Sequence, residues 1–179
     1  MEGPKQDPTV IRREQLHDVS AIRKLNTEAF GQAEEAGIVD SIRKNCGEDA
    51  VSLVAVLEDQ VVGHILFSPV RVECGDRVVH GMGLGPMAVL PEHQRTGIGS
   101  ELVRVGVSEM RGSCCPFVIV LGHPQFYPRF GFEPASRRGI RCEWEVPDEA
   151  FMILILEATE MDGVSGLARY RSEFSAETA

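Results

Sequence analysis

Residues 84–100 read LGPMAVLPEHQRTGIGS, an apolar strand that continues through a turn into a glycine-containing segment. Gly97 and Gly99 stand where a helix extending to about Arg111 should begin, and glycine lets the backbone approach a ligand closely. The first N–H groups of such a helix have no intrahelical partner and lie at its positive dipole end. The segment therefore predicts a strand, a pyrophosphate-binding turn and a helix.

Two better-known phosphate loops do not match this segment. The Rossmann fingerprint needs a third glycine at position 102, which is Leu102, and the Walker loop needs a Gly-Lys-Ser/Thr tripeptide that does not occur here. What remains is Gln/Arg-x-x-Gly-x-Gly/Ala, and the downstream stretch 126–132, which reads FYPRFGF, gives it a context. This pairing resembles the GNAT superfamily of acyl-CoA-dependent N-acetyltransferases.

The resemblance extends from about Val10 to Glu157, and the bacterial branch often called YhbS-like matches best. The segments typical of that branch are Glu28–Gln32, Val62–Pro69, Leu84–Val89 and Leu121–Pro124. The resemblance implies an α+β fold with a mixed, mostly antiparallel central sheet of about seven strands, flanked by about four helices. We expect one GNAT-like acyltransferase domain over residues 1–179, in which residues 1–8 and about 161–179 are peripheral.

Periodicity and turn residues predict the individual elements. A first helix should follow Asp18 as its N-cap, and a second should extend from Ala33 to Cys46. The region from Pro134 to Pro147 is left unassigned, and the tail after Glu160 shows little periodicity. Strands are expected at Val10–Arg13, Val51–Leu57, Val61–Val72, Val78–Leu90, Phe117–Leu121 and Phe151–Leu156.

Composition limits the class of partner and the compartment. The formal net charge of −9 argues against a nucleic-acid partner, because phosphate neutralisation needs clustered basic residues, and it favours a cationic or neutral acceptor. No apolar run reaches the roughly 18–20 residues of a membrane span, and the start lacks a signal-peptide core. We therefore predict a cytoplasmic protein without a membrane partner. The five cysteines have no C-x-x-C spacing, which predicts reduced thiols and no metal site.

The resemblance also implies which residues hold acetyl-CoA, the expected acyl donor. In GNAT enzymes the strand before the glycine loop splays away from its neighbour and pairs with the pantetheine arm. The strand residues in the corresponding position here are Met87, Ala88 and Val89. His123 stands where many GNAT members have an asparagine, and we assign it to the same ligand. The residues expected to wrap the pyrophosphate are Gln94, Arg95, Thr96, Gly97, Ile98, Gly99 and Ser100.

The resemblance assigns catalysis to Tyr127, which would act as the general acid and protonate the departing thiolate. A deprotonated amine attacks the thioester directly, so no enzyme nucleophile is needed. The acceptor would be a primary amine of a small molecule, a peptide or a protein, and a homodimer is expected from family habit alone. The general base stays open among Glu28, Glu35, His64 and Glu73.

Two other interpretations remain open on the sequence. Cys114 or Cys115 could act as a nucleophile with His123 as its base, since a cysteine needs a nearby activator. Alternatively, a non-catalytic acyl-CoA-binding module could keep the fold without acetyl transfer, because fold and function are separable.

Overall fold

The computed structural model describes residues 8–175, so the expectations for residues 1–7 and 176–179 lie outside the described part of the chain. The α-helices are α1 (Val19–Phe30), α2 (Glu34–Cys46) and α3 (Ile98–Gly112). The strands are β1 (Val10–Arg13), β2 (Val51–Leu57), β3 (Gln60–Cys74), β4 (Arg77–Val89), β5 (Phe117–Leu121), β6 (Glu133–Pro134), β7 (Ile140–Cys142), β8 (Phe151–Ile155) and β9 (Gly166–Arg169).

The strands form one mixed sheet in the order β1-β2-β3-β4-β5-β8-β6, and β9 joins it by pairing with β3 and β7. Parallel pairing occurs between β4 and β5 and between β7 and β9, whereas the other strand pairs are antiparallel. This arrangement confirms the predicted α+β class. Within residues 8–175 the sheet has nine strands instead of about seven, and three α-helices replace the expected four or so.

The β2–β3 hairpin joins two of the predicted strands through a tight turn. Glu58 and Asp59 both have positive φ values, 48° and 61°, which is the geometry of a two-residue turn that matches the twist of its strands. The next turn, at Gly75, also has a positive φ of 57°. Three long antiparallel strands therefore follow one another and form the platform of the site.

The two faces of the sheet are covered by different helices. On one face α3 buries Leu102 and Val103, and its Gly106 lies so close to Phe67 that a β-carbon there would be 2.4 Å from the ring. On the other face α1 and α2 bury Ile22 and Ile42 in a separate cluster. Each face of the sheet is therefore closed by its own apolar core.

Asp18 precedes α1 as predicted, but it does not cap that helix with its side chain. Its carboxylate accepts hydrogen bonds from Arg12 Nη1 at 2.6 Å and from the N–H of Gln15 at 2.8 Å. These bonds, the Arg12 contact first, lower the pKa of the buried Asp18 carboxyl. Asp18 therefore ties β1 to the turn before α1.

The C-terminal region corrects the expectation of a peripheral tail. Strand β9 pairs with residues 71–73 of β3, and Met161, Val164 and Ala168 are buried. Gly166, at φ 147°, packs against the carbonyl of Glu73, where a β-carbon would lie 1.9 Å from the oxygen. Strand β9 reads GLAR, without the β-branched or aromatic residues typical of strands, and its pairing is set by distant residues.

Candidate active site

A gap opens between β4 and β5 at the centre of the sheet. The two parallel strands pair only where Met82–Leu84 meets Val118–Val120, whereas β4 continues along β3 as far as Val89. The separation begins at Gly85, whose φ is 143°, and at the cis peptide bond before Pro86. Proline has no N–H to donate to a ladder, which suits a position where two strands part.

The end of β4 presents a free backbone edge to this gap. The N–H of Leu90 donates to the carbonyl of Val62 at 2.9 Å, and backbone groups alternate between the two sides of a strand. Ala88 is therefore hydrogen-bonded to β3, while Met87 and Val89 direct their backbone groups into the gap. The Val89 carbonyl already accepts a bond from Gln94 Nε2 at 3.0 Å. Ala88 itself lines the cleft, and its predicted contact with the ligand would have to avoid the backbone groups that this alternation directs to β3.

The glycine loop leaves the first amides of α3 exposed. Thr96 Oγ1 donates to the carbonyl of His93 at 2.5 Å, and Arg95 and Gly97 have positive φ values of 62° and 95°. No side chain caps α3, and Glu101 is the first residue whose N–H bonds back, to the Gly97 carbonyl at 3.0 Å. The amides of residues 97–100 thus point outward from the positive end of a 15-residue helix.

The gap, the loop and the segment after β5 enclose one cleft of about 1000 Å³. All the sequence-predicted site residues line it except Thr96, whose hydroxyl folds the loop, and Ile98, whose side chain is buried in the core. Carboxylates are absent from the lining, which consists of Ala29, Phe30, Met87, Ala88, Val89, Gln94, Arg95, Gly97, Gly99, Ser100, His123, Gln125, Phe126, Tyr127 and Arg129.

Tyr127 lines this cleft and begins a short 3₁₀ turn that extends to Phe130. The residue is only 6% exposed and packs edge-on against Phe126 and Phe132. Its ring also covers Gly122, where a β-carbon would approach it to 2.4 Å. Burial raises the pKa of Tyr127 to about 12, so the phenol is protonated at neutral pH. Within residues 8–175 its hydroxyl has no hydrogen-bond partner and is available as a donor.

None of the four candidate bases lines the cleft. Glu28 Oε1 lies 3.7 Å from Lys24 Nζ on the surface of α1, and Glu35 accepts a hydrogen bond from Gln32. Glu73 is held by two arginines on the part of β3 that pairs with β9, and those hydrogen bonds lower its pKa. The geometry therefore brings the predicted acid into the cleft, but no predicted base.

His64 is fully buried and belongs to a hydrogen-bonded chain. The amide nitrogen of Asn26 donates to its Nδ1 at 3.2 Å, so Nε2 carries the proton and donates to Ser52 Oγ at 2.9 Å. Ser52 donates in turn to Glu14, which also pairs with Arg43. Burial, with the charge of Arg43, lowers the pKa of His64 to about 3. His64 is thus a neutral structural group that links α1 and α2 to the sheet.

The structure separates the residues of the thiol hypothesis. Cys114 and Cys115 precede β5, whereas His123 follows its other end, with the whole five-residue strand between them. Cys115 is buried, which raises its pKa, and its thiol donates to the carbonyl of Phe117 at 3.1 Å. Neither cysteine lines the cleft, so the proposed pairing with His123 is wrong.

Five lining residues were not predicted from the sequence, and four of them stand in stretches that the resemblance had marked. Ala29 and Phe30 end α1, and Phe30 is 41% exposed at the cleft. Phe126 and Arg129 flank Tyr127. In residues 8–175 no three His, Cys, Asp or Glu side chains are grouped to hold a metal ion. The same part of the chain contains no helix with the length and apolar character needed to cross a membrane.

Comparison with known proteins places this architecture in a family. The family model described as "Acetyltransferase (GNAT) domain" matches residues 10–135. The uncharacterised N-acetyltransferase YjhQ of Escherichia coli K12 is 40% identical over 136 residues, 74% of either chain. The uncharacterised N-acetyltransferase YhbS of the same strain is 33% identical over 167 residues, 93% of this chain and 98% of its own.

Solved structures agree with the sequence comparison. The crystal structure of E. coli YhbS in complex with CoA superposes with a TM-score of 0.87 at 30% identity, covering 98% of this chain and 96% of YhbS. A GNAT family acetyltransferase from Brucella melitensis in complex with acetyl-CoA gives a TM-score of 0.77 at 32% identity, over 93% and 98% of the two chains. These findings confirm the resemblance, including its YhbS-like branch. The chain belongs to the GNAT family of acetyltransferases.

Proposed function

We propose that this protein is an N-acetyltransferase that moves the acetyl group of acetyl-CoA to a primary amine by direct attack. One observation carries the proposal: a free strand edge at Met87 and Val89, the open amides of residues 97–100 and the buried Tyr127 border the same cleft. The relatives support the identity of the donor, since YhbS was crystallised with CoA and the Brucella melitensis protein with acetyl-CoA.

The residues of the cleft fit a CoA thioester. The exposed amides at the start of α3, with Arg95 beside them, suit a diphosphate because they combine N–H donors with positive charge. The strand edge suits the amides of a pantetheine arm, which can pair with it as an added strand does. His123, at the other side of the gap, is assigned to the same arm. The lining offers no carboxylate that would repel a polyanion.

The chemical roles follow from the protonation states of the lining residues. Acetyl-CoA would supply an activated acyl group, whose carbon–sulfur bond breaks as the carbon–nitrogen bond to the amine forms. The amine gives up one proton, and the departing sulfur receives one from the neutral phenol of Tyr127. The N–H of Met87 or Val89, on the free edge, is the strand donor suited to polarising the thioester carbonyl.

The route of the amine proton is proposed to pass through water. The four candidate bases lie away from the cleft, and an amine with a pKa near 10 must be deprotonated before it attacks. A cytoplasmic location, a homodimer and the absence of nucleic-acid and membrane partners stay predictions. The acceptor stays open among small-molecule, peptide and protein amines.

Release of CoA, measured across a panel of amines, tests the proposed reaction. We expect release with at least one amine, and a metabolite extract incubated with acetyl-CoA should yield a new acetylated species by mass spectrometry. Tight acetyl-CoA binding without release on any amine would contradict the enzyme and support the non-catalytic acyl-CoA-binding module.

A further inference from the structure

Arg129 is an exposed lining residue of the cleft with two aromatic neighbours. Its Cζ lies 4.6 Å from the centre of the Phe126 ring and 5.6 Å from that of Phe130. Its Nε donates to the Phe126 carbonyl at 3.2 Å, which fixes the plane of the guanidinium. Within residues 8–175 no carboxylate pairs with it. Both terminal nitrogens of this exposed arginine are therefore available to an outside ligand.

Other arginines of the region are already paired. The Cζ of Arg104 on α3 lies 5.7 Å from the centre of the Phe130 ring, but its Nη1 is paired with Glu101 Oε2 at 3.3 Å. Arg138, after β6, pairs with Glu133 at 2.8 Å. Arg95 and Arg129 are the arginines that line the cleft, and they come from different segments, the glycine loop and the turn after Tyr127.

The exposure of the cleft residues indicates what Arg129 faces. Tyr127 is buried, and the half-buried Phe126 precedes it, with its Cζ 3.8 Å from the position that a β-carbon of Gly99 would occupy. Arg129 covers the Phe126 ring and is exposed. The buried phenol thus suits the acyl end of CoA, the amides at the helix terminus suit its diphosphate, and the exposed guanidinium suits its 3′-phosphorylated ribose.

Charge gives a second reason for a separate cation in the cleft. The protein has a formal net charge of −9, and CoA carries a phosphomonoester in addition to its diphosphate. A phosphomonoester holds about −1.5 to −2 charges at neutral pH and has three strong acceptor oxygens. The loop amides and Arg95 are engaged with the diphosphate in the proposed function. A monoester therefore needs another donor, and a planar guanidinium suits its oxygens through two parallel bonds.

We propose that Arg129, held in place by Phe126, binds the 3′-phosphate of CoA and makes the protein discriminate CoA from 3′-dephospho-CoA. The inference rests on the proposed function, because it concerns a second contact to the same ligand. Arg129 is a specificity-determining residue in this scheme and has no part in the transfer step.

Isothermal titration with CoA and with 3′-dephospho-CoA tests the inference. Wild-type protein should prefer CoA by about tenfold or more, the scale of a hydrogen-bonded charge pair. Arg129→Ala should lose that preference by weakening CoA binding alone. Arg129→Lys should keep part of it, because lysine retains the charge without the fork or the stacking. Arg104→Ala removes the same charge outside the cleft and should leave the preference unchanged.

Three outcomes would overturn the inference. One is an undiminished preference in Arg129→Ala, and another is equal weakening of both ligands, which would assign Arg129 to the diphosphate. The third is wild-type protein that binds both CoA forms equally, which would sink the inference while sparing the proposed function. Failure to bind either form would sink the proposed function itself.

Discussion

Replacing Gly99 by alanine should separate ligand binding from folding. A β-carbon at this position would lie 3.8 Å from Met87 Cε, Val89 Cγ2 and Phe126 Cζ, which is ordinary van der Waals contact. The protein alone therefore has room for the methyl group. The same three side chains line the cleft, so the methyl group would occupy space that the proposed ligand needs beside the first turn of α3.

We expect Gly99→Ala to leave the stability of the fold intact or raise it, but to weaken CoA binding. Alanine is favoured over glycine by up to about 1 kcal/mol within a helix, so the free energy of unfolding should stay the same or rise by about that amount. A methyl group forced into a filled site typically costs about 1–3 kcal/mol. For CoA this corresponds to a Kd raised by about five- to 150-fold.

Isothermal titration with CoA and urea denaturation measure the two effects on the same preparation. Gly112→Ala is the matched control, because it lies at the other end of α3, is exposed and has no atom within 4 Å of the added carbon. It should show any gain in stability with an unchanged Kd. A Gly99→Ala protein that binds CoA as tightly as wild type would refute the location of the diphosphate at this helix terminus.

Four further predictions follow from the same geometry. Tyr127→Phe should lower the rate of CoA release by about 10²- to 10⁴-fold with little change in acetyl-CoA affinity, since the hydroxyl holds no bond within the described chain; an unchanged rate would exclude the acid role. Gly122→Ala would put a carbon 2.4 Å from the Tyr127 ring, and both turnover and stability should fall, the latter by about 1–3 kcal/mol in urea denaturation. Because the unfolded chain protonates His64 near pH 6.5 but the folded protein only near pH 3, stability should drop as the pH falls through this window, by about 3 kcal/mol at pH 4.5; His64→Gln should flatten that profile. Replacing both Cys114 and Cys115 by serine should leave the rate of acetyl transfer by the folded protein unchanged. Loss of acetyl transfer in this variant would revive the thiol mechanism.

Local signals in the sequence were sufficient for most elements and for the centre of the site. The apolar run before Pro91, the glycines at 97 and 99 and the amphipathic stretch that follows predicted β4, the loop and α3. Each of these depends on residues close together in the chain, such as a turn that needs positive φ at Gly97. The resemblance then added Tyr127, which the structure brings to the same cleft.

The features that the sequence did not predict depend on pairing between distant segments. The direction of the Ala88 backbone is set by its register with His64 on β3, and no property of residue 88 itself indicates it. The same holds for β9, whose place is fixed by the fit of Gly166 against Glu73. The guanidinium of Arg129 was overlooked because an arginine in a loop is ordinarily a solvated charge.

Strands β8 and β9 have a consequence for how such proteins are recognised and how they must be made. The family model ends at residue 135, yet β8 lies between β5 and β6, and β9 completes the edge of β3 further along the chain. A protein shortened to the matched stretch would leave Phe117 and Ile119 uncovered and two strand edges open to aggregation. The family model is thus shorter than the sheet that the chain builds, whereas the similarity to YhbS spans 93% of the chain.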